Sequence, residues 1–406
     1  MADFLFLDPG SDVTRRDVYR RGRALGMRVV LVSGRIGGER DHVDEWVRAN
    51  PAEPDEVLAA LAGREPPAGV VNCSESCLET AARVAGRYGL PGLPARVVQI
   101  CRDKVLMGDR LAPRGVAMAR RYVLRDPDEV DAAVAEVGTP GVLKPSTGVA
   151  SRFTVRFDSA VELARYLTAF NAQIRQRRHA FLRHMDGRWL VEEFLDGPGY
   201  SVESVVCDGV VQHVAVCEKG PITGPFFREI GHCTPPHLPA GGVEQLQDMA
   251  EGAIRGLGID NCVTHAEFKV PRDGPRLLEI GARMGGGSIR QVVRYATGVD
   301  LLDVTLRLAM GERVDATPAR RGAAASRSLY PVAAGRVERV DADRLAREPG
   351  VADVNLWLEV GSRYRLPPDG YGEVLGVVTV ADDVHEAVRL ADAAVAVADR
   401  QTVLVP

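Results

Sequence analysis

Over the first hundred residues, short apolar runs alternate with helical stripes. Residues 4–7 and 27–32 are runs of strand length, and Val18, Gly22 and Leu25 recur between them at helical spacing. A third run starts at 69–71, and Leu78, Ala81, Ala82 and Ala85 trace the helix after it. Strand, helix and strand in this order predict a parallel, doubly wound unit. Leu90-Pro91-Gly92-Leu93-Pro94 reads as its closing linker. From there to about residue 310, hairpins mix with helices. Runs 201–206 and 210–216 flank Asp208-Gly209, a two-residue hairpin turn. Val243, Leu246, Ala250, Ala253 and Leu257 form one apolar helical stripe. The last hundred residues predict a β-α-β-β-α-β order. Its strands are 328–332, 353–358, 373–380 and 402–405, with a long helix over 382–398. The fold class expected is α/β and α+β in a multidomain chain.

Composition narrows the function. A length of 406 residues predicts two to four domains at roughly 100–200 residues each. The 46% hydrophobic and 26% charged content is globular, and a net charge of −4 offers no basic field for nucleic acid. No apolar run approaches the ~18 residues of a membrane span. Met1-Ala2-Asp3-Phe4 lacks the basic start of a signal peptide, and the seven cysteines are scattered and odd in number. A cytoplasmic setting is expected. Only four of the 51 basic residues are lysine: Lys104, Lys144, Lys219 and Lys269. In a chain that otherwise uses arginine, each lysine draws notice.

The most informative stretch is 262–287. Thr264, Ala266, Phe268 and Val270 alternate with His265, Glu267 and Lys269, so the polar three share a face. After Pro271-Arg272-Asp273-Gly274-Pro275, the next strand is read with Leu277, Glu279, Gly281 and Arg283 on one face. A two-residue Asp-Gly turn would set Glu267 opposite Ile280. A longer loop centred on Asp273, favoured by the two prolines, sets it opposite Glu279. Two facing carboxylates repel by about 4 kcal/mol at ~4 Å and an effective dielectric near 20. A divalent cation between them would relieve this, and all-oxygen ligands suit Mg²⁺ or Mn²⁺. The alternative is a solvated face with two unrelated glutamates. Arg283 and the glycines of Met284-Gly285-Gly286-Gly287-Ser288 then offer a guanidinium and a nest of N–H groups for an anion.

The order of these motifs resembles the ATP-grasp superfamily, and within it the L-amino-acid ligases that join amino acids into dipeptides. The resemblance implies an N-terminal Rossmann-like domain over 1–96 and an ATP-grasp domain over 97–311 with a lid at about 118–192. A C-terminal α+β domain over 312–406 would cover the substrate site or support a homodimer. Arg102-Asp103-Lys104 and Val142-Leu143-Lys144, with the small-residue loop through Ser151, match the two phosphate-binding lysines and the closing loop. Val191-Glu192-Glu193-Phe194-Leu195-Asp196-Gly197 matches the adenine hinge. Glu267 and Glu279 match the metal ligands, with two Mg²⁺ (or Mn²⁺) ions implied. Arg283 matches the arginine that steadies an acyl phosphate. Phe227-Arg228-Glu229-Ile230-Gly231-His232 resembles the substrate-pocket segment, with Glu229 on a cationic amine and His232 beside it. Glu75, Gly286 and Gly287 are further substrate contacts on this reading. Gly199 stands where many members place a ribose-binding acid, and Glu203 is the substitute expected. The activity implied is ATP-dependent ligation of a carboxylate to an amine. Bicarbonate-using carboxylation and a non-catalytic nucleotide-binding regulator are the alternatives. Small-molecule substrates are expected, with neither nucleic acid nor membrane as partner.

Overall fold

The computed structural model describes residues 2–9, 16–148, 151–177, 187–320, 322–370 and 372–406. Strands β1 (Asp3–Leu7), β2 (Arg28–Ser33), β3 (Glu45–Arg48) and β4 (Gly69–Asn72) form the expected parallel sheet in the order β3-β2-β1-β4. Its helices are α1 (Arg16–Ala24), α2 (Pro54–Ala60) and α3 (Leu78–Tyr88). Periodicity does not predict β3, because its four residues are charged at both ends and only Val47 is buried. Two helices follow, α4 (Ala95–Arg102) and α5 (Lys104–Leu111). Between them the Asp103 carboxylate accepts hydrogen bonds from the N–H groups of Val105 and Leu106, capping α5.

A second sheet contains β5 (Arg121–Leu124), β6 (Gly141–Pro145), β7 (Val155–Phe157) and β8 (Trp189–Glu193), all antiparallel, in the order β5-β8-β6-β7. Helices α6 (Val130–Val137) and α7 (Ala160–Arg177) cover it around Phe153, Phe157, Phe170 and Trp189. This is the small unit expected as the lid. Val149 and Ala150 of its small-residue loop lie outside the described residues.

The central sheet begins with β9 (Gly199–Cys207) and β10 (Val210–Lys219), joined by Asp208 and Gly209 at φ 50° and 74°. Both residues are left-handed, as the two-residue turn demands. A short ribbon of β11 (Ile222–Thr223) and β12 (Arg228–Glu229) leads to β13 (Gly231–Thr234) and then α8 (Gly242–Leu257). Next come β14 (Cys262–Lys269), β15 (Arg276–Gly281), α9 (Ile289–Thr297) and α10 (Leu301–Ala309). On one sheet face Tyr200, Val202, Ala266, Phe268, Leu277 and Ile280 pack against α4, α5 and α8. On the other, α9 and α10 pack against Val205, Cys217 and Val263, and α9 reaches on to Ala324 and Val378. Gly199, Glu267 and Lys269 lie on that second face beyond the cover, and they form the floor of the site.

The C-terminal region differs from expectation in two ways. Its elements run β16 (Ala323–Leu329), β17 (Gly335–Arg339), α11 (Ala342–Leu345), β18 (Val351–Leu356), β19 (Arg363–Tyr364), β20 (Leu375–Ala381), α12 (Val384–Gln401) and β21 (Val403–Val405). The first strand therefore starts five residues before the expected position and stops short of Pro331. Its Ala323-Ala324-Ala325 start is weak in β-propensity but fully buried. Moreover, β16, β20 and β18 continue the central sheet, in the order β15-β14-β9-β10-β13-β16-β20-β18. The short strands β17, β19 and β21, two of them unexpected, form a separate three-stranded sheet.

The β14–β15 hairpin pairs Glu267 with Glu279, as the longer loop requires. The register then shifts, so that Phe268 faces Leu277 and Lys269 faces Arg276. This bulge turns Leu277 away from the face of Glu279 and into the core, where it is 1% exposed. The strict alternation expected for 277–283 is corrected accordingly. Leu277→Ala should destabilise the protein by about 2–5 kcal/mol in urea titration, and Leu278→Ala by clearly less. A larger effect at Leu278 would contradict the bulge.

Candidate functional site

The open face of the central sheet gathers acids. Across β9 and β14, Glu203 faces His265 and Ser201 faces Glu267, and across β14 and β15, Glu267 faces Glu279. Glu229 joins them from β12. Buried carboxylates this close need cations. Lys219 Nζ lies 2.7 Å from Glu229 Oε1 and 2.6 Å from Glu267 Oε2. Lys104 Nζ lies 2.9 Å from Glu279 Oε2. His265 bridges the remaining pair, with Nδ1 2.6 Å from Glu203 Oε1 and Nε2 2.9 Å from Glu267 Oε1. Burial alone would raise the Glu229, Glu267 and Glu279 carboxyls. Lys219 and His232 together outweigh it at Glu229, taking it down to about 2, and Lys219 and His265 together hold Glu267 well below its ordinary range. Lys104 and Lys144 together lower Glu279.

The lysine pattern of the sequence is explained in part. Lys104 and Lys144 both reach the cleft, and Lys144 Nζ lies 2.6 Å from Glu192 Oε2. The elements that carry them are tied together. The Lys104 N–H donates to the Ser146 carbonyl at 2.8 Å, Asp103 bridges to Thr147, and Arg188 pairs with the Asp103 carboxylate. Lys219, which sequence reasoning gave no role, is the cation that holds two acids. Its rarity in composition was the available signal. Lys269 was expected beside the acids but turns away, its Nζ donating to the Gly197 carbonyl at 2.7 Å. Burial and the nearby Lys219 charge both push its pKa down.

Glu203 requires a correction. It is 0% exposed, and its Oε1 is taken by His265. A ribose hydroxyl cannot reach it, so it serves as the partner that orients His265. Gly199 lies beside Lys219: a Cβ there would make ordinary contact with the Lys219 stem at 3.4 Å. The hinge carboxylates are also engaged. Glu192 holds Lys144, while Glu193 Oε1 accepts from the Arg120 N–H and Oε2 from Arg120 Nε, both at 2.8 Å. Between the lid and the sheet lies a cavity of about 450 Å³ lined by Arg156, Phe194, Gly199, Lys219, Phe227 and Lys269, among others. Leu195 stands beside Phe194 on the same hinge. Ser151 follows in the lid loop, exposed, with φ 51°.

The residues expected on the substrate side lie at the other end. Arg283 Nε lies 2.6 Å from Glu75 Oε2 on the turn after β4, so the N-terminal unit fixes this guanidinium. Burial lowers the Arg283 pKa, but Glu75 raises it further, and the charge is secure. Arg102 approaches the other Glu75 oxygen at 3.9 Å, a contact not anticipated. His232 Nε2 lies 3.4 Å from Glu229 Oε2, and a Cβ on Gly287 would come within 3.9 Å of its ring. Gly287, at φ 58°, thus sits against His232, while a Cβ on Gly286 would meet open space. The buried hydroxyls of Ser146, Thr147 and Ser201 have no hydrogen-bond partner among the described residues. They leave polar atoms for a ligand. The donor set is also right for hard cations: Glu267 and Glu279 offer oxygen alone, which suits Mg²⁺ or Mn²⁺.

A model of the ATP-grasp domain matches residues 137–291, and one of L-amino acid ligase C-terminal domain 2 matches 327–398. Residues 137–291 are thus similar to the ATP-grasp domain. The crystal structure of L-amino acid ligase from Bacillus licheniformis shares this fold, with a TM-score of 0.86 at 21% identity, covering 100% of this chain and 98% of that one. Among curated relatives, the uncharacterized protein y4rH of Sinorhizobium fredii is 30% identical over 315 residues, 77% of this chain and 64% of that protein. Alanine–anticapsin ligase of Bacillus subtilis strain 168 is 29% identical over 239 residues, 55% of this chain and 50% of that protein. The chain therefore spans half to just under two thirds of the length of these two relatives. No helix among its described residues is long and apolar enough to cross a membrane.

The His265 bridge gives a pH signature. Burial opposes its charge, but Glu203 and then Glu267 outweigh burial and lift its pKa to about 9. A folded pKa above the unfolded value of ~6.5 stabilises the fold fully below that value, and the gain is lost as pH rises through about 9. Unfolding free energy from urea titration should fall between about pH 7 and about pH 9. His265→Gln should flatten that fall. An equal fall in the variant would contradict the bridge.

Proposed function

We propose that this chain is an ATP-dependent carboxylate–amine ligase acting on amino acids. The observation that carries the reading is the Glu267–Glu279 pair, faced by Lys104, Lys144 and Arg283 in one cleft beneath the lid. A substrate carboxylate oxygen attacks the γ-phosphorus of ATP, the bond to ADP breaks, and an acyl phosphate forms. An amine nitrogen then attacks the acyl carbon, the carbon–oxygen bond to phosphate breaks, and the nitrogen loses a proton to give the amide. Carboxylate and triphosphate repel, so the protein's first task is to cancel charge.

In this reading Glu267 and Glu279 hold two Mg²⁺ (or Mn²⁺) ions, which supply electrostatic neutralisation of the phosphates. Lys104 and Lys144 leave Glu279 and Glu192 and turn to phosphate oxygens. Their carboxylate partners hold both lysines near the cleft beforehand. The Phe194–Leu195 hinge borders the 450 Å³ cavity, which takes the adenine and ribose. The lid loop with Ser151 closes over the phosphates and excludes water from the acyl phosphate. Arg283, fixed by Glu75, steadies the acyl phosphate together with the N–H groups of Gly286 and Gly287. Glu229 and His232 receive the cationic amine of an amino acid. The division at 1–96, 97–311 and 312–406, a homodimer and a cytoplasmic setting belong to the same reading. Cys101, Cys207, Cys217, Cys233 and Cys262 form no disulfide, which fits a reducing compartment.

The match of 327–398 to an amino-acid-ligase C-terminal domain favours ligation over bicarbonate carboxylation. Retention of both lysines, both acids and Arg283 disfavours a non-catalytic regulator. Phosphate release should require Mg-ATP and a pair of amino acids, and be negligible with either alone. Release with bicarbonate and no amino acid would overturn the proposal. Glu279→Gln and Arg283→Lys should each lower kcat by about 100-fold or more in the same assay.

A further inference from the structure

A second cluster of ligand-type side chains lies on the opposite face of the central sheet from the catalytic acids. Lys219 points into the cleft, so its neighbour Glu218 points away. Glu218 on β10 pairs directly across the ladder with Cys233 on β13. His237, in the loop after β13, completes a triad. One ligand atom from each of Glu218, Cys233 and His237 lies within 4.8 Å of the others. Metal–ligand bonds of roughly 2.0–2.3 Å set tetrahedral edges of roughly 3.3–3.7 Å, so side-chain adjustment of about 1 Å closes the triad on an ion.

The triad is held in place by its surroundings. The His237 N–H donates to Glu218 Oε2 at 2.7 Å, and the His237 carbonyl accepts from the Tyr200 hydroxyl at 3.2 Å. Its ring is thereby aimed at the carboxylate, with Nδ1 2.8 Å from the same Oε2. The far nitrogen, Nε2, lies 3.2 Å from Nδ1 of His385, in the first turn of α12. A ligating histidine needs its other nitrogen protonated and bonded outward, and His385 is placed to accept that bond. Cys233 makes no disulfide and is buried among Ala325, Ala387 and Ala391, whereas His237 and His385 are exposed and give an ion access. Burial and then the Glu218 charge push the Cys233 thiol up to about 12. A dication there would reverse that balance and displace the proton.

We propose that Glu218, Cys233 and His237 form a binding site for a zinc-class divalent ion, with His385 as the outer partner of His237 and solvent in the fourth position. Mixed sulfur, nitrogen and oxygen donors select this class over Mg²⁺. The site would tie the loop after β13, through His385, to α12. It does not depend on the catalytic reading, and its test is independent of activity.

The experiment is titration of the full-length protein with Co²⁺, followed by the near-ultraviolet thiolate-to-cobalt absorption, with folding checked by circular dichroism. Wild type should show the band saturating at one equivalent, and Zn²⁺ should abolish it by competition. Cys233→Ser should lose the band. His237→Ala, at an exposed side chain, should lose it or weaken cobalt affinity severely, and serves if the cysteine variant fails to fold. His385→Ala should weaken affinity by about 10-fold or more. Glu279→Gln, in the catalytic cleft, should leave the titration unchanged. Absence of the band in folded wild type, or a band of full strength in Cys233→Ser, would overturn the proposal.

Discussion

Carboxylates cannot be buried side by side unless each finds a positive partner, and this constraint organises the catalytic cleft. Glu203, Glu267 and Glu279 share one face of the central sheet, Glu229 joins them from the β11–β12 ribbon, and Glu75 approaches from the N-terminal unit. Each is met by Lys104, Lys219, His265 or Arg283 at 2.6–2.9 Å. Those cations come from different parts of the chain. Lys104 rides on a helix capped by Asp103, Lys219 on a central strand, and Arg283 follows β15. The pairings therefore also dock the units of the fold on one another. The same arrangement suits phosphoryl transfer between anions, because the cations that neutralise the acids are the groups a triphosphate and a carboxylate require.

The part of this legible in the sequence is the part set by short-range periodicity. Alternation in 264–270 and the two prolines of the following loop were enough to place Glu267 opposite Glu279. The Asp208-Gly209 turn and the stripe of α8 were equally clear. What escaped was set by long-range packing. The bulge beyond Glu279 exists because Leu277 is needed in the core against Phe268, and no local signal marks it. Lys219 could not be assigned, since its two carboxylate partners lie 10 and 48 residues away. Glu203 has the right spacing from Gly199 to substitute for a ribose-binding acid. Its complete burial behind His265 depends on strand pairing that spacing does not reveal.

The C-terminal region shows the same limit from another side. Its alanine-rich first strand has little intrinsic preference for a sheet, yet it continues the central sheet beside β13. It gains its conformation from α12, whose small residues pack directly on it. That continuity brings the C-terminal unit next to His232: Ser326 on β16 accepts the His232 N–H at 3.1 Å. A unit that looked separable in sequence thus helps to position the His232 end of the cleft.

The charge-balanced cleft is suited to transfer of a phosphoryl group to a carboxylate oxygen. Isotope transfer tests this most directly. With an amino-acid substrate labelled with ¹⁸O in its carboxylate, each released phosphate should carry one labelled oxygen, because the carbon–oxygen bond to the acyl phosphate is the one the amine breaks. Phosphate free of label, or label recovered in AMP, would contradict the account.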